Sequence, residues 1–451
     1  MMKSISIQTL NLQVNQRHDP GRLFSVKLWC VLLTLVILFT SMAFPVLAEP
    51  QANKCDLPQS RPEAEGLDRA TLDAVLKQVR AAGTDAFVIL RNGNVVVEEY
   101  NGRPERILAQ SVTKSITSLA VGTAIDHKFI KGPDQLASDF FPEWRNTEKG
   151  SITLRHLLTH TSGIAAGKGS VELYGAKDAL AYARNQPLAE PVGSVHRYNN
   201  VGIMLLSGVV EIATGLSLEK WARKTLFDPL CITDIEWRHD QRGHTLGQGD
   251  LQIRALDLAK IGQLVLNRGQ WNGQQVISQE WIAQSTRMDA ESNTPLALAY
   301  YAFCWRSFTN SDTIHLDDAF VKRLKAANVE ASLVAWVAQR ATGERKTMDF
   351  RAELDTLYGE GKGIATWFSK TGGGLEPPRT KGPAEIIYHD GDGGQYVIVI
   401  PARQLVVVRM RRMGRNGYAG GAERDLNNMI ELAAMLSRTS QVKPASPSEK
   451  Q

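Results

Sequence analysis

The sequence predicts an α/β fold in which an antiparallel sheet is formed from both chain ends, is flanked by helices and encloses an inserted all-helical lobe. Three observations carry this. Near the N-terminus, β-like runs at residues 86–90 and 95–100 are joined through Asn92-Gly93-Asn94, a strong hairpin signal. Near the other end, apolar runs at residues 396–400 and 405–408 are linked through Pro401-Ala402-Arg403-Gln404. Between them, residues 111–287 show helical periodicity punctuated by Gly and Pro, as in 152–160, 201–214, 218–227 and 255–267. Strands from both ends around a helical middle describe one discontinuous domain, residues 67–436, with its helical lobe at about 111–295.

Taken in order, residues 1–48 are laid out as a secretory signal. Arg22 and Lys27 form a basic flank, residues 28–39 an apolar run broken only by Thr34, and Val46-Leu47-Ala48 a small-x-small cleavage site. An uncleaved membrane anchor is the alternative, because residues 28–47 are about long enough to span a bilayer. Either way the bulk of the chain is expected outside the cytoplasm, periplasmic or secreted. A polar linker, 49–66, leads into an amphipathic helix at 67–82.

Residues 300–305 read as a strand, and the segment that follows, about 307–383, is longer than a connection to the last strands requires. Within it, 319–342 reads as one amphipathic helix and 365–368 as strand-like. Such an insertion is either a lid over a pocket or a surface addition. A final helix at 423–436 and a polar, disordered tail at 437–451 complete the expectation.

The chain of 451 residues is 43% hydrophobic, ample for a core. Its 52 Lys and Arg exceed its 47 Asp and Glu by five and are scattered, which argues against nucleic-acid binding and for a small-molecule partner. Cys30 lies in the signal, leaving Cys55, Cys231 and Cys304. This odd set allows one disulfide or free buried thiols, and lacks the paired spacing of a zinc site.

Candidate chemistry begins at Ser111-Val112-Thr113-Lys114, which opens a helical run and puts Lys114 one turn after the Ser111 hydroxyl, on the same face. A serine alcohol is a poor nucleophile until a base removes its proton, and a lysine whose pKa is lowered by burial can do so. Next, Tyr198-Asn199-Asn200 precedes an apolar helix. The Tyr198 phenol can relay a proton if neighbouring cations hold it near ionisation, and the Asn200 amide can bind the lysine or a substrate carbonyl. Third, His389-Asp390-Gly391-Asp392 leads into the strand at Tyr396. There Gly391 would let a substrate lie against the strand edge, and a backbone N–H would pair with that of Ser111 as an oxyanion hole.

In this order the three elements resemble the Ser-x-x-Lys, Tyr-x-Asn and Lys/His-x-Gly motifs of the serine β-lactamase and penicillin-binding-protein superfamily. The run from Ile152 to Ile164, which contains Leu157-Leu158-Thr159-His160-Thr161-Ser162-Gly163, resembles the superfamily's run between its first two motifs, and Phe227-Asp228-Pro229-Leu230 resembles its Pro-Leu turn, while Asn267-Arg268-Gly269-Gln270-Trp271-Asn272-Gly273, followed by Trp281, looks most like class C-type esterases and 6-aminohexanoate-dimer hydrolases. The resemblance implies a β-lactamase/transpeptidase-like fold that hydrolyses a small ester or amide through an acyl-enzyme on Ser111. Lys114 and Tyr198 would share proton transfer, the N–H groups of Ser111 and Asp392 would bind the oxyanion, and Asn200, His389 and Gly391 would line the substrate. A β-lactamase or a peptidoglycan D,D-peptidase is the second enzyme reading, and a catalytically silent binding protein of the same fold is a reading of another class.

A literal Lys370-Thr371-Gly372 competes with His389-Asp390-Gly391 for the third motif, and the later site is preferred because it runs directly into paired strands. No cofactor or metal is expected. His315 with Asp317 and Asp318 lacks companion ligands, and His156 and His160 lack the intervening acid of a metalloprotease helix, so packing or capping roles are assigned to that pair.

Overall fold

In a computed structural model of the protein, the described residues are 55–413, apart from 168–169, 288–298, 310, 360–361 and 373–374. The signal-like segment, most of the linker, the expected last helix and the tail lie outside them.

The domain opens with helix α1 (Arg69–Ala81), whose first turn is closed by Asp68 accepting the Thr71 N–H at 2.8 Å. Its buried Leu72, Val75, Leu76 and Val79 recur at i, i+3, i+4 and i+7, a single apolar stripe. Strands β1 (Ala86–Arg91) and β2 (Asn94–Tyr100) form the hairpin through Asn92 and Gly93, both at positive φ. The lobe contains α2 (Thr113–Asp126), α3 (Leu154–Leu158), α4 (Asn200–Thr214), α5 (Leu218–Ala222) and α6 (Ala255–Leu266). After it come β3 (Ala299–Tyr301) and β4 (Arg306–Phe308). The chain returns in β5 (Ile386–Gly391), β6 (Gln395–Ile400) and β7 (Leu405–Met410).

These strands make one seven-stranded antiparallel sheet in the order β2-β1-β7-β6-β5-β4-β3, so the two chain ends meet at the β1–β7 pair. One face packs Phe87, Ile89, Ile398 and Val407 against the α1 stripe. The other joins Val88, Val397, Val406 and Val408 to the core of the helical lobe. Covering on both faces explains why β6 and β7 are buried throughout and read as unbroken apolar runs.

Helix α2 lies in the middle of the lobe, with every residue from Thr113 to Ala124 buried. Two of its buried hydroxyls reach across to neighbouring carbonyls: Ser115 Oγ donates to the Cys304 carbonyl and Thr117 Oγ1 to that of Gly247, each at 2.7 Å. A Cβ at Gly122 would come within 2.4 Å of the Trp281 ring. An alanine there forces repacking at a cost of about 1–3 kcal/mol.

Several local expectations are corrected. The lobe also holds a small three-stranded sheet (Ile107–Leu108, Leu251–Ile253, Glu236–Trp237) and a hairpin (Gln270–Trp271, Gln274–Gln275), pieces too short to show periodicity. Residues 300–305 are not one strand, because the chain turns at Cys304, φ +56°, between β3 and β4. The single helix read over 319–342 is two, α7 (Asp318–Ala326) and α8 (Ala331–Ala338), separated at Asn328, φ +54°, a conformation that ends a helix. The strand-like residues 365–368 fall inside helix α10 (Gly363–Lys370), which follows α9 (Thr347–Tyr358). A four-residue apolar run does not distinguish the two periods, and Trp367 is buried from a helix in the insertion's own core with Phe320, Phe350 and Leu354. Cys55 and Cys231 are disulfide-bonded, and Cys304 is a buried free thiol.

Candidate active site

Ser111 sits in a 3-10 turn, Gln110–Val112, that feeds directly into α2. Gln110 holds φ +52°, unusual for a residue with a side chain and a sign of local strain beside Ser111. One turn on, Lys114 is fully buried, with Nζ 2.9 Å from Ser111 Oγ and 2.6 Å from the Gln248 carbonyl oxygen. Burial pushes the Lys114 ammonium down to about 7, so a large fraction is the neutral amine at neutral pH.

Tyr198 precedes α4, and its hydroxyl hydrogen-bonds the Ser111 side chain. Lys114 Nζ lies 4.9 Å from the centre of its ring. The residue as a whole is 39% exposed, yet desolvation of the phenol is the largest influence on it and raises it above its ordinary range. The condition set from the sequence, cations holding the phenol near ionisation, is therefore not met: burial outweighs Arg306, and Tyr198 stays protonated. Asn199 caps α4, its side chain accepting the Val201 N–H at 2.9 Å, while Asn200 is the first helical residue.

The third element lies in β5. His389 and Gly391 are strand residues, and Asp392 is exposed in the tight turn to β6. Gly391 approaches the turn that carries Ser111 so closely that a Cβ would fall 2.7 Å from the Ala109 carbonyl oxygen and 3.0 Å from Gln110 Cβ. Strand β4 pairs with β5 only through Tyr388, so His389 to Gly391 are laddered by β6 on one side and not by β4 on the other. Lys370 is not brought to this site. It ends α10 within the insertion, where it pairs with Glu330 of the same insertion.

Residues that sequence reasoning missed complete the pocket wall. His160, read as packing or capping, accepts the Asn199 backbone N–H at Nδ1 (3.2 Å) and therefore donates from Nε2 to Tyr301 Oη at 2.8 Å. Its ring lies 4.7 Å from that of Tyr198. Arg306 forms a 2.8 Å ion pair with Asp390 and lies 5.5 Å from the Tyr301 ring centre. His156 does act in a capping box, with Thr153. Only the run from Leu157 to Gly163 hinted at His160; Asp390 lay inside the third motif, whereas Tyr301 and Arg306 come from separate strands and carried no local signal.

A possible metal group, Asp178, Asp240 and His244, lies apart from these residues in the lobe. Its carboxylates accept backbone N–H groups of Ala181, Ala179 and Arg242, and His244 Nδ1 bonds Glu211.

A family profile described as beta-lactamase matches residues 72–421. The chain belongs to the β-lactamase family. It is 26% identical over 225 residues to the 6-aminohexanoate-dimer hydrolase of Paenarthrobacter ureafaciens, covering 44% of this chain and 56% of that one. It is 30% identical over 211 residues to esterase EstB of Burkholderia gladioli, covering 38% and 53%. The chain thus spans about half the length of these curated relatives. A penicillin-binding-protein homologue from Caulobacter crescentus superposes with TM-score 0.54 at 15% identity, over 84% of this chain and 100% of that one. That likeness shows the β-lactamase/penicillin-binding-protein fold, a mixed α/β architecture around an antiparallel sheet. With hydrolase and esterase relatives in the same family, the chain is serine-hydrolase-like.

Proposed function

We propose that the protein hydrolyses a small ester or amide through an acyl-enzyme on Ser111. The observation that carries this reading is the buried Lys114 amine, 2.9 Å from Ser111 Oγ and depressed to about 7. Such a group is a base at neutral pH and needs no carboxylate partner. Lys114 takes the Ser111 proton as Oγ attacks the carbonyl carbon. The backbone N–H groups of Ser111 and Asp392 receive the developing oxyanion, a role supported by the close approach of Gly391 to the nucleophile's turn. Tyr198, protonated, hands its proton to the departing alkoxide or amine and recovers one from Lys114. Water then attacks the ester on Ser111 with the same groups in reverse. Relatives named as a dimer hydrolase and an esterase support this substrate class. The disulfide-bonded Cys55 and Cys231 support an oxidising, exported location.

The test compares the purified chain with Ser111→Ala on a short-chain nitrophenyl ester, a linear amide and a chromogenic β-lactam, alongside fluorophosphonate labelling. Turnover of ester or amide that disappears in Ser111→Ala, with the label on Ser111, is expected. A chain that is neither labelled nor active would be a silent binding protein. Ser111-dependent turnover confined to the β-lactam would make it a β-lactamase.

A further inference from the structure

Strand β4 stops accompanying β5 just short of the nucleophile, and an ion pair stands where the ladder ends. The last pairing is Arg306 with Tyr388, whereas β6 continues along His389, Asp390 and Gly391. In an antiparallel pair, the residue two beyond the direct partner is a diagonal neighbour on the same face, within reach of a long side chain. Asp390 holds that position relative to Arg306, and Arg306 Nε lies 2.8 Å from Asp390 Oδ1. The side chains are 31% and 30% exposed, yet the two facing atoms are buried and make no aligned hydrogen bond, so the contact is one of charge. The guanidinium is steadied by the Tyr388 hydroxyl, to which it donates, and by the Tyr301 ring, whose centre is 5.5 Å away.

What the pair holds is the part of β5 that meets Ser111. Gly391, the next residue, abuts the turn that carries Ser111, and Asp392 after it bears the N–H assigned above to the oxyanion. An edge without β4 leaves backbone groups open to a substrate, and it also lacks the ladder bonds that would fix it. The pair shapes the field at Lys114 as well. Near pH 7 burial keeps the other titratable groups around Lys114 uncharged: the Tyr198 phenol, the Cys304 thiol and the imidazoles of His160 and His389. Among the described residues this leaves Arg306 and Asp390 as the charges that bear on it, in opposite senses. The carboxylate favours the Lys114 ammonium and the guanidinium disfavours it.

Resting on the hydrolase reading above, we propose that Arg306 and Asp390 are paired positioning residues for the reaction: together they pin the open end of β5 beside Ser111, and each offsets the other's charge at Lys114. Neither serves alone. An unpaired Asp390 would hold the proton on Lys114, and an unpaired Arg306 would leave the amine neutral but a weaker base.

The test follows the rate of fluorophosphonate labelling of Ser111 against pH in the wild type, Arg306→Met, Asp390→Asn and the double variant, each checked for folding by circular dichroism. The wild-type midpoint is expected near 7. Arg306→Met should move it up and Asp390→Asn should move it down, the two differing by at least about half a pH unit, and the double variant should return to the wild-type midpoint. The plateau rate at high pH reports the pin. It should fall about tenfold or more in both single variants and stay low in the double variant, the smaller end of what a misplacement of about 1 Å does. General damage to the fold lowers a plateau but does not move two midpoints in opposite directions. If Arg306→Met fails to fold, the downward midpoint of the isosteric Asp390→Asn still decides. Wild-type labelling with midpoints that stay put or move together, or with an undiminished plateau in the double variant, overturns the pair and leaves the hydrolase reading standing. No labelling of the wild type overturns that reading and the pair with it.

Discussion

Lys114 and Lys370 each belong to a motif that matched the family's text, and the fold treats them in opposite ways. Lys114 lies inside a buried helix with neutral oxygens for partners, and its ammonium is pushed down to about 7. Lys370 ends a surface helix of the insertion, and its hydrogen bond to the Glu330 carboxylate, joined by their attraction, raises its pKa. A lysine becomes a base when it is desolvated without a counter-charge, and stays a solvated cation when given one. Motif spelling does not distinguish the two cases; surroundings do.

The largest effect expected from this contrast is at Lys114. Lys114→Met should lower kcat/KM on the favoured ester by about 10²–10⁴-fold, the range for losing a positioned base. Its stability should move the other way. The folded chain holds Lys114 at about 7 against an ordinary 10.5, so between those values the unfolded chain binds more protons, and wild-type stability falls as pH drops through that window. Lys114→Met removes that penalty, and its Tm measured at pH 6 should equal or exceed that of wild type. A fall in Tm with retained activity would break the comparison.

Gly391→Val comes next, because a side chain there collides with the Ala109 carbonyl and displaces either the strand or the nucleophile's turn. A shift of about 1 Å at a reacting group costs on the order of 10²-fold, so a drop of that size in kcat/KM, with unchanged far-ultraviolet circular dichroism, is expected. The smallest effect is at Lys370. Lys370→Ala should change neither kcat/KM nor Tm measurably, and a large loss of activity would return the third motif to the insertion.

The sequence made much of this legible, and the reasons are local. Ser111 and Lys114 show themselves because helical spacing alone places them on one face, and the sheet was legible because hairpin chemistry at Asn92-Gly93 and the unbroken apolar runs of β6 and β7 are short-range signals. Tyr198 and His389 needed order along the chain, which the family text supplied. The pocket wall did not appear, since His160, Tyr301 and Arg306 meet only when α3's exit, β3 and β4 converge. Nor could the raised phenol of Tyr198 be read, because desolvation is a property of the assembled site. In the insertion, a small separate core around Trp367 decided helix over strand where four apolar residues could not.

The central claim is that a neutral Lys114 activates Ser111, and the pH dependence of the fluorophosphonate labelling rate tests it most directly. The rate should rise with pH through a single ionisation near 7, where Lys114 loses its proton, and this rise should vanish in Lys114→Met. A rate that is flat across that range, or that rises only near the ordinary lysine value of 10.5, would contradict it.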